Sequence, residues 1–123
     1  MIAVTDKRFH ELIDKAFDSL PSTHRDSVRN VAIITADYPS PAQRQELKLH
    51  CDQTLLGLYE GIPLPQRLGR EAAMPDVITL FKLPLLGQST DEKSLYENIR
   101  HTLWHEIAHY FGLDHAKIHE LEN

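Results

Sequence analysis

A chain of 123 residues that is 41% hydrophobic can enclose one core but has no room for a second, so a single domain over 1–123 is expected. The formal charge of −5 argues against a nucleic-acid partner, because affinity for a phosphate backbone comes from clustered Lys and Arg. Cys51 is the only cysteine, which excludes an intramolecular disulfide and a cysteine-rich metal site; with no apolar leader in MIAVTDKRFHELIDK and no run near the roughly 20 apolar residues of a membrane span, a cytoplasmic location is expected.

In residues 6–20, Phe9, Leu12, Ile13, Ala16, Phe17 and Leu20 recur at helical spacing. Thr5 is placed to cap that amphipathic helix and Pro21 to end it. Residues 30–36, NVAIITA, are rich in β-branched side chains and too short for a typical helix, which predicts a strand. A short helix is expected over 40–50, with Ser40 as cap and Pro41 in its first position.

Residues 54–60 and 77–83 are the other predicted strands, closed by Gly61-Ile-Pro63 and by Pro84 respectively. The stretch between them includes the loop PQRLGREAAMPD, of a length that in a compact domain often carries function. Ser89 and Glu92 form a capping-box pattern ahead of SLYENIRHTLWHEIAHYF, a long helical stretch that stops at Gly112. Leu95, Ile99, Leu103 and Ile107 follow one side of it, and His101, His105 and His109 the roughly opposite side. A short helix over 114–121 is expected to close the chain.

The chemistry concentrates in HEIAHYFGLDH, residues 105–115. HExxH on a helix puts two imidazoles one turn apart on one face, within reach of one zinc ion. Glu106 stands beside such an ion without being a ligand, where it can accept a proton from an activated water. Gly112 lets the chain leave the helix in a left-handed conformation, and His115 is placed to return as the third ligand. The spacing HExxHxxGxxH therefore predicts a site of His105, His109 and His115 with Zn²⁺, an open position for water, and Glu106 as base. His101 extends the same face by a turn, as a neighbour of the ligands or of substrate. Tyr59, Tyr96, Tyr110 and His101 are the candidates, by residue type, for stabilising an oxyanion.

The segments LGLYEGIPL, PDVITLF and IRHTLWHEIAHYFGL, in that order, resemble a family of small bacterial zincin-like metallopeptidases. The resemblance runs over nearly the whole chain and implies an α+β, minimal zincin-like fold. In it a small sheet packs against an active-site helix near the C-terminus. It also implies a zinc-dependent hydrolase acting on a peptide or protein substrate, with His105, Glu106 and His109 in the roles given above. The family pattern tends to read HExxHxxGxxD, whereas this chain has His115 at the last position and Asp114 just before it. Both remain open as the third ligand, and spacing favours His115.

Two other readings attach to the same residues. Bacterial rRNA-maturation endoribonucleases carry a similar three-histidine stretch, but usually have glycine where Glu106 stands here. A non-catalytic zinc-binding module is the other.

Overall fold

The computed structural model describes residues 2–25, 28, 31–46, 55–61 and 76–112. Within them the chain forms α1 (Asp6–Asp18), α2 (Ser22–Arg25), β1 (Val31–Ala36), α3 (Pro41–Glu46), β2 (Gly57–Glu60), β3 (Asp76–Phe81), α4 (Lys82–Gly87) and α5 (Glu92–Tyr110). This is an α+β arrangement of helices around a small mixed sheet.

The order of that sheet is β1-β3-β2. β1 runs parallel to β3 and pairs Val31 with Asp76 through to Ala36 with Phe81. β2 runs antiparallel to β3, with Gly57 opposite Leu80 and Glu60 opposite Val77. Side chains alternate across a strand, so this register puts Ile33, Gly57, Tyr59, Ile78 and Leu80 on one face of the sheet. That face meets the helices. Phe9, Leu12, Ile13 and Ala16 of α1, Ile78 and Leu80 of β3, and Leu95, Ile99, Leu103 and Ile107 of α5 join in one buried cluster. The leucine and isoleucine row of α5 is wholly inaccessible to solvent, and truncating any one of its members to alanine is worth roughly 2–5 kcal/mol.

Several local expectations hold. The Oγ1 of Thr5 accepts the Arg8 N–H at 3.1 Å and caps α1. At α3, Ser40 and Gln43 satisfy each other reciprocally, through Gln43 N–H to Ser40 Oγ at 3.1 Å and Ser40 N–H to Gln43 Oε1 at 2.8 Å. Gly112 has φ +74°, the left-handed exit that a glycine supplies without steric cost.

Other expectations need correction. α5 starts at Glu92, and its capping box is Asp91 with Ser94: Ser94 N–H donates to Asp91 Oδ1 at 2.7 Å, and Asp91 N–H to Ser94 Oγ at 3.1 Å. Ser89 is instead buried. It donates to Leu85 O at 2.7 Å and accepts from Asn98 Nδ2 at 3.0 Å, tying α4 to α5. β3 ends at Phe81 rather than at residue 83, because α4 begins there. Pro84 sits in its first turn, where the missing N–H would have had no intrahelical acceptor. The short α2 is an element that the sequence pattern does not predict, and α1 stops at Asp18. The final helix expected over 114–121, the loop preceding Asp76, and Cys51 lie outside the described residues. No helix among those described is long and apolar enough to cross a membrane.

Gly57 fixes how closely α5 lies on β2. A Cβ there would stand 2.6 Å from Thr102 Cγ2 and 3.3 Å from Thr79 O, so glycine is what lets the helix approach the strand backbone. Gly57→Ala should destabilise the protein by about 1–3 kcal/mol, the usual cost of overpacking. Thr102→Ser removes the obstructing methyl and should restore most of that loss, as read from urea unfolding of the single and double variants.

Three exposed carboxylates sit at helix N-termini, and two of them tie one helix to another. Lys82 donates a hydrogen bond to Asp6 and lowers its pKa, Arg8 does the same for Glu92 across the α1–α5 contact, and the Ser94 backbone N–H lowers that of Asp91. Depressed values of this kind contribute stability that is present above the ordinary values of 3.8 and 4.5. It is lost as pH falls through the lower values held in the fold. Asparagine caps a helix nearly as well as aspartate and does not titrate. Asp91→Asn should therefore match the parent in thermal midpoint at neutral pH and decline less steeply below about pH 4.

Candidate metal centre and its sheet edge

α5 carries core on one side and titratable groups on the other, because its sequence sets apolar and histidine positions about half a turn of azimuth apart. The rings of His105 and His109 lie 6.4 Å apart by centroid, and both are half-buried. The Nε2 atom of His105 is inaccessible to solvent. His101 lies one turn earlier, exposed, its ring 5.0 Å from that of His105 and tilted by 32°.

Glu106 points to the sheet. The residue is only 9% exposed, so its carboxylate needs partners to offset lost hydration. One is the backbone N–H of Tyr59 in β2, which donates to Oε1 at 2.9 Å. Another is His109, whose Nδ1 lies 3.4 Å from the same oxygen. The hydrogen bond that His109 donates to that carboxylate raises its pKa above the ordinary imidazole value, against the opposing effect of burial.

The strand register explains why Tyr59 has an N–H to offer. Phe81 N–H donates to Leu56 O at 3.0 Å, which makes Leu56 and Phe81 a hydrogen-bonded pair. In an antiparallel ladder such pairs alternate. Leu58 and Glu60 therefore also exchange bonds with β3, while the N–H and C=O groups of Gly57 and Tyr59 point away from it, to the outer edge of β2. Among the described residues β2 is an edge strand of the sheet.

Thr102 lies against Gly57, and Glu106, four residues on, against Tyr59. Two strand steps cover roughly 6.6 Å and four helical residues roughly 6 Å. The axis of α5 therefore runs along β2 over this stretch, with successive turns meeting successive same-face strand positions. The Tyr59 hydroxyl donates to Asp76 Oδ2, and its ring meets Tyr110 edge-on at 6.4 Å. These contacts brace β2 against β3 and against the end of α5.

The structure thus brings together His105, Glu106 and His109, with His101 beside them. Tyr96 is excluded from the group: it lies under the Lys15 ammonium at 4.9 Å, on the α1 side of α5. Tyr110 is buried at 1% exposure, and the Tyr59 hydroxyl is engaged by Asp76. His115 and Asp114 lie outside the described residues. Two imidazoles one turn apart with a carboxylate beside them are a donor set that suits zinc in softness. Among the described residues no set of three side chains completes a metal site.

Sequence reasoning missed Gly57, Thr102, the Tyr59 N–H and Asp76. A signal existed for the first two. A glycine inside a strand marks a close backbone approach, and Thr102 precedes Glu106 by one helical turn. Nothing local in the chain announces the Tyr59 and Asp76 contacts, which depend on the β2–β3 register.

A helix bearing HExxH laid along an antiparallel edge strand defines a zincin-like architecture. Residues 28–123 match the family model of the zincin-like metallopeptidases, and the chain belongs to that family. Among solved structures it is similar to a conserved hypothetical protein from T. thermophilus, at TM-score 0.61 and 18% identity. The match covers 88% of this chain and 94% of that one. At that identity the likeness concerns the fold alone. No curated protein matches the chain.

Proposed function

We propose that the protein is a zinc-dependent metallopeptidase that hydrolyses peptide bonds without a covalent enzyme intermediate. The observation that carries this reading is the Glu106 carboxylate, held between the edge-strand N–H of Tyr59 and the imidazole of His109 in a chain of the zincin-like metallopeptidase family. His105 and His109 would hold the ion, with His115 as third ligand. Zinc, when bound, supplies Lewis acidity toward a carbonyl and lowers the pKa of water to near neutrality.

The remaining work falls to the chain. Glu106 takes the proton of the attacking water on a carboxylate oxygen and delivers it to the nitrogen of the departing amine. An extended peptide laid along the outer edge of β2, beside the Tyr59 N–H that Glu106 holds, would have its scissile bond across the histidine face of α5. The lone cysteine is consistent with a cytoplasmic setting, where thiols stay reduced. The rival reading as a ribonuclease has less support: Glu106 stands where that family usually has glycine, and the formal charge is −5.

Glu106→Gln tests the base. The variant should keep about one zinc per chain by elemental analysis yet lose peptide hydrolysis by at least about a hundredfold, the low end of a general base's contribution. Zinc-loaded wild-type protein should cut an unstructured peptide library and leave RNA intact. RNA cleavage that disappears in His109→Ala, with no peptide cut, would falsify the proposal.

The third ligand is decided separately by competitive chelator titration. His115→Ala should weaken zinc binding by well over about tenfold, the scale at which even the loss of a supporting hydrogen bond begins to register. Asp114→Ala should leave zinc affinity close to that of the parent. The reverse order would assign a site of two histidines and one aspartate.

A further inference from the structure

The Tyr59 N–H that Glu106 occupies faces the outer edge of β2. A peptide adding to that edge as a new strand needs the same donor for one of its own carbonyls. One N–H cannot serve a carboxylate and a peptide carbonyl at full strength, so the two acceptors compete. We propose that Glu106 is latched to β2 in the substrate-free protein, and that a substrate strand pairing at Tyr59 displaces it.

The carboxylate is thereby released to act as base only when an extended backbone is already in place. This inference rests on the peptidase reading for the nature of the incoming strand. It also narrows the substrate class: the ligand that releases Glu106 is an extended peptide presenting a backbone carbonyl to Tyr59. Peptides too short or too folded to pair there leave the base engaged.

Three features of the structure let the exchange proceed with little motion. Glu106 reaches Tyr59 through a flexible side chain from a helix held rigidly by Leu103 and Ile107, both wholly buried, so release needs only side-chain rotation. The second partner of the carboxylate, His109 Nδ1 at 3.4 Å, lies on the same helix and moves with it. A carboxylate leaving Tyr59 therefore remains next to the two histidines. β2 itself is anchored independently through the Tyr59 hydroxyl to Asp76, so loss of the Glu106 contact does not detach the strand from β3.

The test uses the full chain, ¹⁵N-labelled and freed of metal by chelation, with a blocked octapeptide of alternating serine and valine as probe. In the wild type the Tyr59 amide should be protected from hydrogen exchange without peptide. In Glu106→Ala it should exchange faster and regain protection when peptide is added. The octapeptide should bind Glu106→Ala about tenfold more tightly than wild type, the equivalent of one net charge-assisted hydrogen bond that no longer has to be displaced. Glu106→Gln should fall between them, since an amide oxygen is a weaker acceptor than a carboxylate. It also provides a folded comparison if the alanine variant loses its amide dispersion.

Affinities within about twofold of one another across the folded proteins would overturn the latch, being well short of the tenfold step expected for one hydrogen bond. So would equal protection of Tyr59 in all of them, or no binding of the octapeptide to any. Cleavage by the zinc-loaded wild type is read independently. Hydrolysis together with equal affinities removes the latch and leaves the peptidase. The predicted order of affinities without any hydrolysis leaves the latch and removes the peptidase.

Discussion

The site depends on the contact between one turn of α5 and the backbone of β2. Helix and strand meet where Gly57 has no side chain and Thr102 presents a methyl to the space left there. The approach is close enough for a glutamate one turn later to reach a main-chain N–H of the strand. A larger residue at position 57 would hold the two elements farther apart, and a glutamate side chain has little length to spare. The distance that orients the carboxylate is therefore set by a residue with no chemistry of its own.

Burying that carboxylate is costly in itself, and the partners show how the cost is offset. A carboxyl side chain on a residue at 9% exposure is tolerated when it accepts hydrogen bonds from fixed donors. The donor from Tyr59 is a backbone group, held in place by the sheet ladder. The contact from His109 is a side chain whose basicity rises because of Glu106 itself. A backbone donor cannot rotate away, so the resting position of Glu106 is defined more sharply than a side-chain partner alone would define it. The same fixity puts the donor in line for a competing strand.

Legibility in the sequence follows the range of the interactions. The α1 cap at Thr5, the Ser40 cap of α3 and the left-handed exit at Gly112 are all decided within a few residues, and each is readable. So are the two sides of α5, since helical periodicity sorts Leu103 and Ile107 from His105 and His109 without reference to the rest of the chain. Ser89 misleads because a serine three residues before a glutamate satisfies the capping pattern wherever it occurs. The competing box of Asp91 and Ser94 prevails, since Ser89 is already engaged by Leu85 and Asn98. α4 is hidden by Pro84, a residue that reads as a strand end and is equally acceptable in a first helical turn. The contact of Glu106 with Tyr59 lies beyond reach altogether. It joins residues 47 positions apart and depends on which way each strand amide points, a parity that a one-residue slip of register would invert.

That parity ties the fold to the candidate site more firmly than the HExxH pattern does. HExxH can be written on any amphipathic helix, and the two histidines would still share a face. Only a helix lying along an antiparallel edge strand, in the register that turns the 57 and 59 amides outward, also presents the intervening glutamate to the donors an extended peptide would use. The bracing of Tyr59 by Asp76 and Tyr110 holds that register, which an unbraced strand would be prone to lose by slipping. A strand of four residues is enough to turn both amides outward, since the alternation needs only positions 57 and 59.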